Sequence, residues 1–183
     1  MKRKRFLFAN MLLICTMTVQ AQVKFGTKVG LNLTSFWGDN KVAGGIKPGF
    51  QAGLMMEWKF NNHWGVSPEV VYSMQGAKNS ERTYNLDYIN IPVMLKYYTS
   101  PHFSIDLGPQ IGFNVRSKVK YAGSEHSRKA VAGDVAIGLG GTYLITDDLF
   151  AQARFTLGMS DCYHGDHNNS MNYGLQLSVG YAF

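Results

Sequence analysis

The chain has 183 residues, 45% of them hydrophobic and 20 of them glycine, with 18 Lys and Arg against 12 Asp and Glu. A formal charge of +6 would point to nucleic acid or anionic lipid. Four of those positive charges, Lys2, Arg3, Lys4 and Arg5, stand together at the N-terminus, and 18 − 4 leaves 14 basic side chains against 12 acidic ones. The remainder is close to neutral, which argues against a nucleic-acid partner.

Residues 1–21 read as a cleaved signal peptide. The basic n-region is followed by an apolar h-region from Phe6 to Val19, and Val19-Gln20-Ala21 supplies the small residues that precede a cleavage site before Gln22. The h-region is 14 residues long, whereas a membrane-spanning helix needs about 20. Leu12-Leu13-Ile14 lack the small residue that lipoprotein processing requires ahead of Cys15. With Cys15 removed, Cys162 is the one remaining cysteine, so no intramolecular disulfide is expected. Residues 22–183 then form a single exported domain.

Beyond the leader no run of 18 apolar residues occurs, and the period is two. From Val23 to Thr34, Val23, Phe25, Val29, Leu31 and Leu33 alternate with Lys24, Gly26, Lys28, Gly30 and Asn32. From Met171 to Phe183, Tyr173, Leu175, Leu177, Val179 and Tyr181 alternate with Asn172, Gly174, Gln176, Ser178 and Gly180. These are the first and last strands, each with one apolar and one polar face. Six more are predicted over 48–60, 64–75, 87–98, 103–115, 132–144 and 149–160. Three tight turns, near residues 61–63, 99–102 and 145–148, alternate with four long polar connections at 35–47, 76–86, 116–131 and 161–170. That layout predicts an all-β fold: an eight-stranded, antiparallel, up-and-down transmembrane β-barrel in the outer membrane. Both termini lie on its short-turn, periplasmic side.

Volume decides which face is inside. An eight-stranded barrel has an interior only just wide enough for side chains to fill. The apolar face carries Phe50, Met56, Trp58, Tyr72, Ile105, Phe113, Phe155 and Tyr173, and the polar face is rich in glycine, as at Gly53, Gly108, Gly112, Gly138 and Gly140. The apolar face must look outward, toward lipid. Trp58, Phe60, Trp64, Tyr97, Phe103, Tyr143, Tyr181 and Phe183 cluster beside the short turns and would form a periplasmic aromatic girdle. Phe50, Tyr72, Phe113 and Tyr173 would begin an outer one. Pro68, Pro92 and Pro109 fall inside strands, where each removes a ladder donor, and bulges are the expected way to absorb them.

These residues resemble the small outer-membrane β-barrel family often labelled PorT-like or porin-family. The likeness is carried by Val29-Gly30-Leu31-Asn32, by Pro68-Glu69 with Tyr72-Ser73-Met74-Gln75-Gly76, by Ile91-Pro92-Val93 with Leu95-Lys96-Tyr97-Tyr98, and by Leu107-Gly108-Pro109. It implies an eight-stranded barrel in the outer membrane and leaves the ligand open. In outer-membrane barrels, a C-terminal aromatic after alternating apolar residues is read by the assembly machinery, which assigns that role to Val179, Tyr181 and Phe183.

On the inward parity stand Lys28, Glu57, Lys59, Glu69, Lys96, Asp106 and Arg154, with Lys28, Glu69, Asp106 and Arg154 near mid-depth. Buried charges persist when paired and hydrogen-bonded, so a lumenal plug is expected in preference to an ion path, with Glu69 and Arg154 in one network. No catalytic constellation stands out: His63 and His102 lie in periplasmic turns, and His126, His164 and His167 in outer loops. Cys162, His164, Asp166 and His167 have metal-ligating side chains without a recognised zinc spacing, so a polar loop is favoured and no cofactor is expected. The expected protein is a monomer in outer-membrane lipid that acts in envelope structure or surface interaction through its outer loops. A narrow pore is the alternative, and a lipid-modifying enzyme a more distant one.

Overall fold

A computed structural model of the chain describes residues 23–37, 45–78, 82–121, 124–127, 133–159 and 171–183. Residues 1–21, expected to be a signal peptide, and the cluster Cys162, His164, Asp166 and His167 lie outside the described residues. Nine strands are found among the described residues: β1 (Val23–Trp37), β2 (Lys47–Lys59), β3 (Trp64–Lys78), β4 (Arg82–Ser100), β5 (Phe103–Tyr121), β6 (Ser124–Ser127), β7 (Gly133–Leu144), β8 (Leu149–Gly158) and β9 (Met171–Ala182). All pairings are antiparallel. The order β1-β2-β3-β4-β5-β7-β8-β9 returns to β1, which gives a closed eight-stranded barrel, with β6 as a short extension on the outer end of β5. Closure reaches the end of the chain, where the Phe183 N–H donates to the Phe25 carbonyl at 2.7 Å and the Phe25 N–H donates back at 3.1 Å.

The period-two pattern becomes a two-faced wall. Leu31, Leu54, Leu107, Leu139 and Leu177 are exposed on the outside, while Lys28, Asn32, Gln51, Glu69, Asp106, Arg154 and Gln176 are buried in the lumen. All eight expected girdle aromatics are exposed beside the short turns. Within that belt Trp64 tilts against Tyr97 at 4.8 Å, and Trp58 meets Phe60 edge-on at 5.1 Å. The turns are locally specified. Asn61 Oδ1 accepts the N–H groups of His63 and Trp64, both at 2.8 Å, and Thr146 Oγ1 accepts that of Leu149 at 3.0 Å.

Two expectations are corrected. First, β4 begins at Arg82 and β5 runs to Tyr121, so much of the expected loops 76–86 and 116–131 is strand, and β6 adds a further pairing. Polarity in those stretches marks where lipid ends, because a ladder continues into water without an apolar face.

Second, the three prolines are not absorbed by bulges. The β4–β5 pair shifts register at Asp87/Tyr88 and at Tyr98/Ser100, away from all of them. At each proline the pairing lapses for two residues and resumes in the same register. The lapses fall between Met55↔Glu69 and Trp58↔Val66, between Pro68↔Val93 and Val71↔Asn90, and between Pro92↔Gln110 and Leu95↔Leu107. Each proline stays paired with the following strand and loses the preceding one, as expected for a residue missing a single N–H.

The glycine-rich inward face also admits large side chains. Met55, Tyr88, Met94, Tyr98 and Phe150 are buried on the inward face. Glycines make their room: a methyl group at Gly180 would run into the Phe150 ring, and one at Gly138 would come within 3.4 Å of the Met94 side chain.

Leu177 is exposed and its neighbour Ser178 is buried, so charge can map the wall. A basic side chain facing lipid at mid-depth costs about 2–4 kcal/mol. Leu177→Arg is expected to reduce the folded fraction in lipid bilayers, measured on a heat-modifiability gel, more than Ser178→Arg. Wild-type folding of Leu177→Arg would contradict the parity of β9.

Candidate functional site

Seven charges project from six strands onto one lumenal axis. The upper cluster centres on Glu69 of β3. Its carboxylate accepts two hydrogen bonds from the Arg154 guanidinium of β8, at 2.9 Å to Oε2 and 2.7 Å to Oε1, and one from Lys28 Nζ of β1 at 2.7 Å. The side chains of Lys28, Glu69 and Arg154 are at most 2% exposed, so solvent does not screen this triad. Such an arrangement holds together because the bidentate fork and the ammonium satisfy the carboxylate at once.

Neutral side chains carry the network downward. Lys28 Nζ also donates to Gln152 Oε1 at 2.9 Å, and Gln152 Nε2 donates to Thr142 Oγ1 at 3.0 Å and to Asp106 Oδ2 at 3.3 Å. Asp106 accepts further bonds from Thr142 at 2.5 Å and from Ser104 at 2.7 Å. Lys96 Nζ lies 3.7 Å from Asp106 Oδ1 and 3.2 Å from Glu57 Oε2, and Lys59 reaches Glu57 at 4.0 Å from its place over the Tyr98 ring.

The chain of contacts is therefore continuous from Arg154 to Lys59. Beside it, Met55, Phe150 and Ala182 form a small apolar cluster, with Leu144 packed against it. All seven inward charges read from the sequence meet in this one network. Ser104, Thr142 and Gln152 were missed because charge was used to select candidates, although their inward parity was visible in the strands. Asp134 was also missed; it occupies inward parity at the outer end of β7, half-buried.

Val179, Tyr181 and Phe183 lie on the outer wall and are exposed. His63 stacks on Tyr97 at 6.4 Å in the periplasmic girdle. Among the described residues no group of three metal-ligating side chains is placed to hold an ion. A groove of about 750 Å³ crosses the outer wall over Gly141, Ala151 and Ala153, between Tyr143 and Leu177. Apart from Gln152 and Ser178, its lining side chains belong to the outward face, so it is relief on the surface that meets hydrocarbon.

Comparisons with known proteins agree with this geometry. Residues 19–183 match the family model described as outer membrane protein beta-barrel domain. Comparison of the sequence with curated proteins gives no significant match. Among solved structures, Ail, the attachment invasion locus protein of Yersinia pestis, superposes with a TM-score of 0.61 at 19% identity, over 88% of this chain and 99% of that one. A second structure of Ail holds the heparin analogue sucrose octasulfate. Neisserial surface protein A superposes with a TM-score of 0.60 at 15% identity, over 88% and 99% of the two chains. At these identities the likeness establishes the fold.

The Glu69–Arg154 contact predicts energetic coupling. Removing one partner of a buried pair costs about 3–5 kcal/mol, because the other charge is left uncompensated. In a urea-unfolding cycle, Glu69→Gln and Arg154→Met are expected to show a coupling energy of about 1–3 kcal/mol; additivity within about 0.5 kcal/mol would contradict a working pair.

Proposed function

The chain belongs to the outer membrane protein β-barrel domain family and resides in the outer membrane, and we propose that it is a closed, non-enzymatic anchor that presents its outer ends for surface interaction. The observation that carries this reading is the ion-paired plug. A path for ions along the lumen would have to displace Glu69 from Arg154 and Lys28, three side chains that are almost fully buried. The upper triad and the Asp106–Lys96–Glu57 group place ion-paired side chains at two successive levels of the narrow lumen.

The outer end supplies the surface. β4 and β5 continue together as far as the Arg82↔Tyr121 pair, and β5 carries Arg116, Lys118 and Lys120 at alternate positions of this extension. The Arg116 side chain is 57% exposed and lies 3.9 Å from Asp87. Three basic residues at alternate positions of one extended strand suit a sulfated or phosphorylated polyanion. That Ail, with the same fold, has been seen with a heparin analogue makes such a polymer the first probe to use. Assembly is assigned to the machinery that reads Val179, Tyr181 and Phe183 on β9.

Two measurements test the reading. In planar bilayers the wild-type protein is expected to give no channel steps, whereas Glu69→Ala with Arg154→Ala opens measurable conductance; steps from the wild type would favour a narrow pore. On immobilised heparin, retention of the refolded barrel is expected to fall with rising salt and to drop further in the triple variant Arg116→Glu, Lys118→Glu, Lys120→Glu. Equal retention of both proteins would remove these three residues from the interaction.

A further inference from the structure

The interruptions in the wall are not scattered. Pairing runs unbroken along β1–β2, β1–β9, β5–β7, β7–β8 and β8–β9. It lapses at three consecutive interfaces, β2–β3, β3–β4 and β4–β5, each time beside a proline. The lapses lie next to one another: Pro68 is paired with Val93, the residue after Pro92, and Pro92 is paired with Gln110, the residue after Pro109. The result is a seam of missing ladder bonds running obliquely across one side of the barrel. In hydrocarbon, unpaired backbone groups find no water to replace the lost bonds, so a seam is the cheapest place for such a wall to part.

The plug crosses this seam from within. Lys96 on β4 reaches Glu57 on β2 at 3.2 Å, passing over β3 and both of its interrupted interfaces. The same ammonium lies 3.7 Å from Asp106 on β5, across the third. Glu69, next to Pro68, ties β3 to Lys28 on β1 and to Arg154 on β8. Each strand that loses ladder bonds is therefore held by a lumenal ion pair to a strand beyond the break.

We propose that β3 and β4 form an opening panel in the barrel wall, delimited by the Pro68–Pro92–Pro109 seam and latched from the lumen by Glu69 and Lys96. Opening there parts the wall sideways, and the latch sets how often it happens. The panel shares its ion pairs with the closed-lumen reading but is measured separately: conductance reports the axis of the lumen, and amide exchange reports the wall.

The test is residue-resolved hydrogen–deuterium exchange of the full-length mature protein in lipid nanodiscs. Amides of Val70, Val71, Ile91, Val93 and Met94 are expected to exchange about tenfold or more faster than those of Ile137–Leu139 and Leu175–Leu177. Lys96→Met, which keeps the stem and removes the charge, is expected to raise exchange at the seam about tenfold further and to leave the reference strands unchanged. Pro92→Ala returns a backbone donor to the β3–β4 interface and is expected to slow exchange there, which keeps the proposal testable should the lysine variant misfold. Equal protection at the seam and the reference strands in the wild type would overturn the panel. A uniform rise across the whole barrel in Lys96→Met, or no slowing in Pro92→Ala, would overturn the latch or the seam respectively.

Discussion

In the hydrocarbon layer a backbone amide has no solvent partner, so the wall of this protein must satisfy itself by closing on itself. The rest of the structure depends on that requirement. Closure demands that β9 pair with β1, and the two N–H···O bonds between Phe25 and Phe183 carry the ladder to the end of the chain. A closed ring of eight strands fixes a narrow lumen. A narrow lumen fixes which residues face it, because successive side chains on a strand alternate between lipid and interior.

The interior is filled by matching large against absent. Arg154 occupies the space that Gly138 and Gly140 leave, and Phe150 sits over Gly180, where backbone and ring would collide with any side chain. Glycine in a strand usually weakens it. Here it provides volume for a plug whose charged members could not otherwise be desolvated together. The same residues explain why the lumen tolerates lysine and arginine at mid-depth: every buried cation in the network has an acid within 4 Å.

Much of this was legible in the sequence. The alternation of Leu175, Leu177 and Val179 with Gln176, Ser178 and Gly180 specified face and strand together, and the inward parity of Lys28, Glu69 and Arg154 placed them in one space. Three things were not legible. The strand ends at Arg82 and Tyr121 were hidden because hydropathy reports lipid contact and not backbone pairing. The packing of Phe150 and Met94 was hidden because their inward parity was visible but the glycines that admit them come from other strands. The response to proline was hidden because a missing donor can be met by a bulge or by a lapse. Only the register of the neighbouring strands tells which.

That last choice has consequences for the wall. A bulge would have shifted the register after each proline and turned every later inward residue on that strand outward. Across Pro68 such a shift would have moved Glu69 from the lumen to lipid. Across Pro92 and Pro109 it would have separated Lys96 from Asp106, which are paired directly across β4 and β5. Keeping register at the expense of ladder bonds preserves the plug, and the plug in turn ties together the strands that lost those bonds. The lumenal charges and the interrupted ladder are therefore two parts of one arrangement: the ion pairs are aligned only because the prolines did not shift the register, and the strands flanking the prolines are held by those same ion pairs.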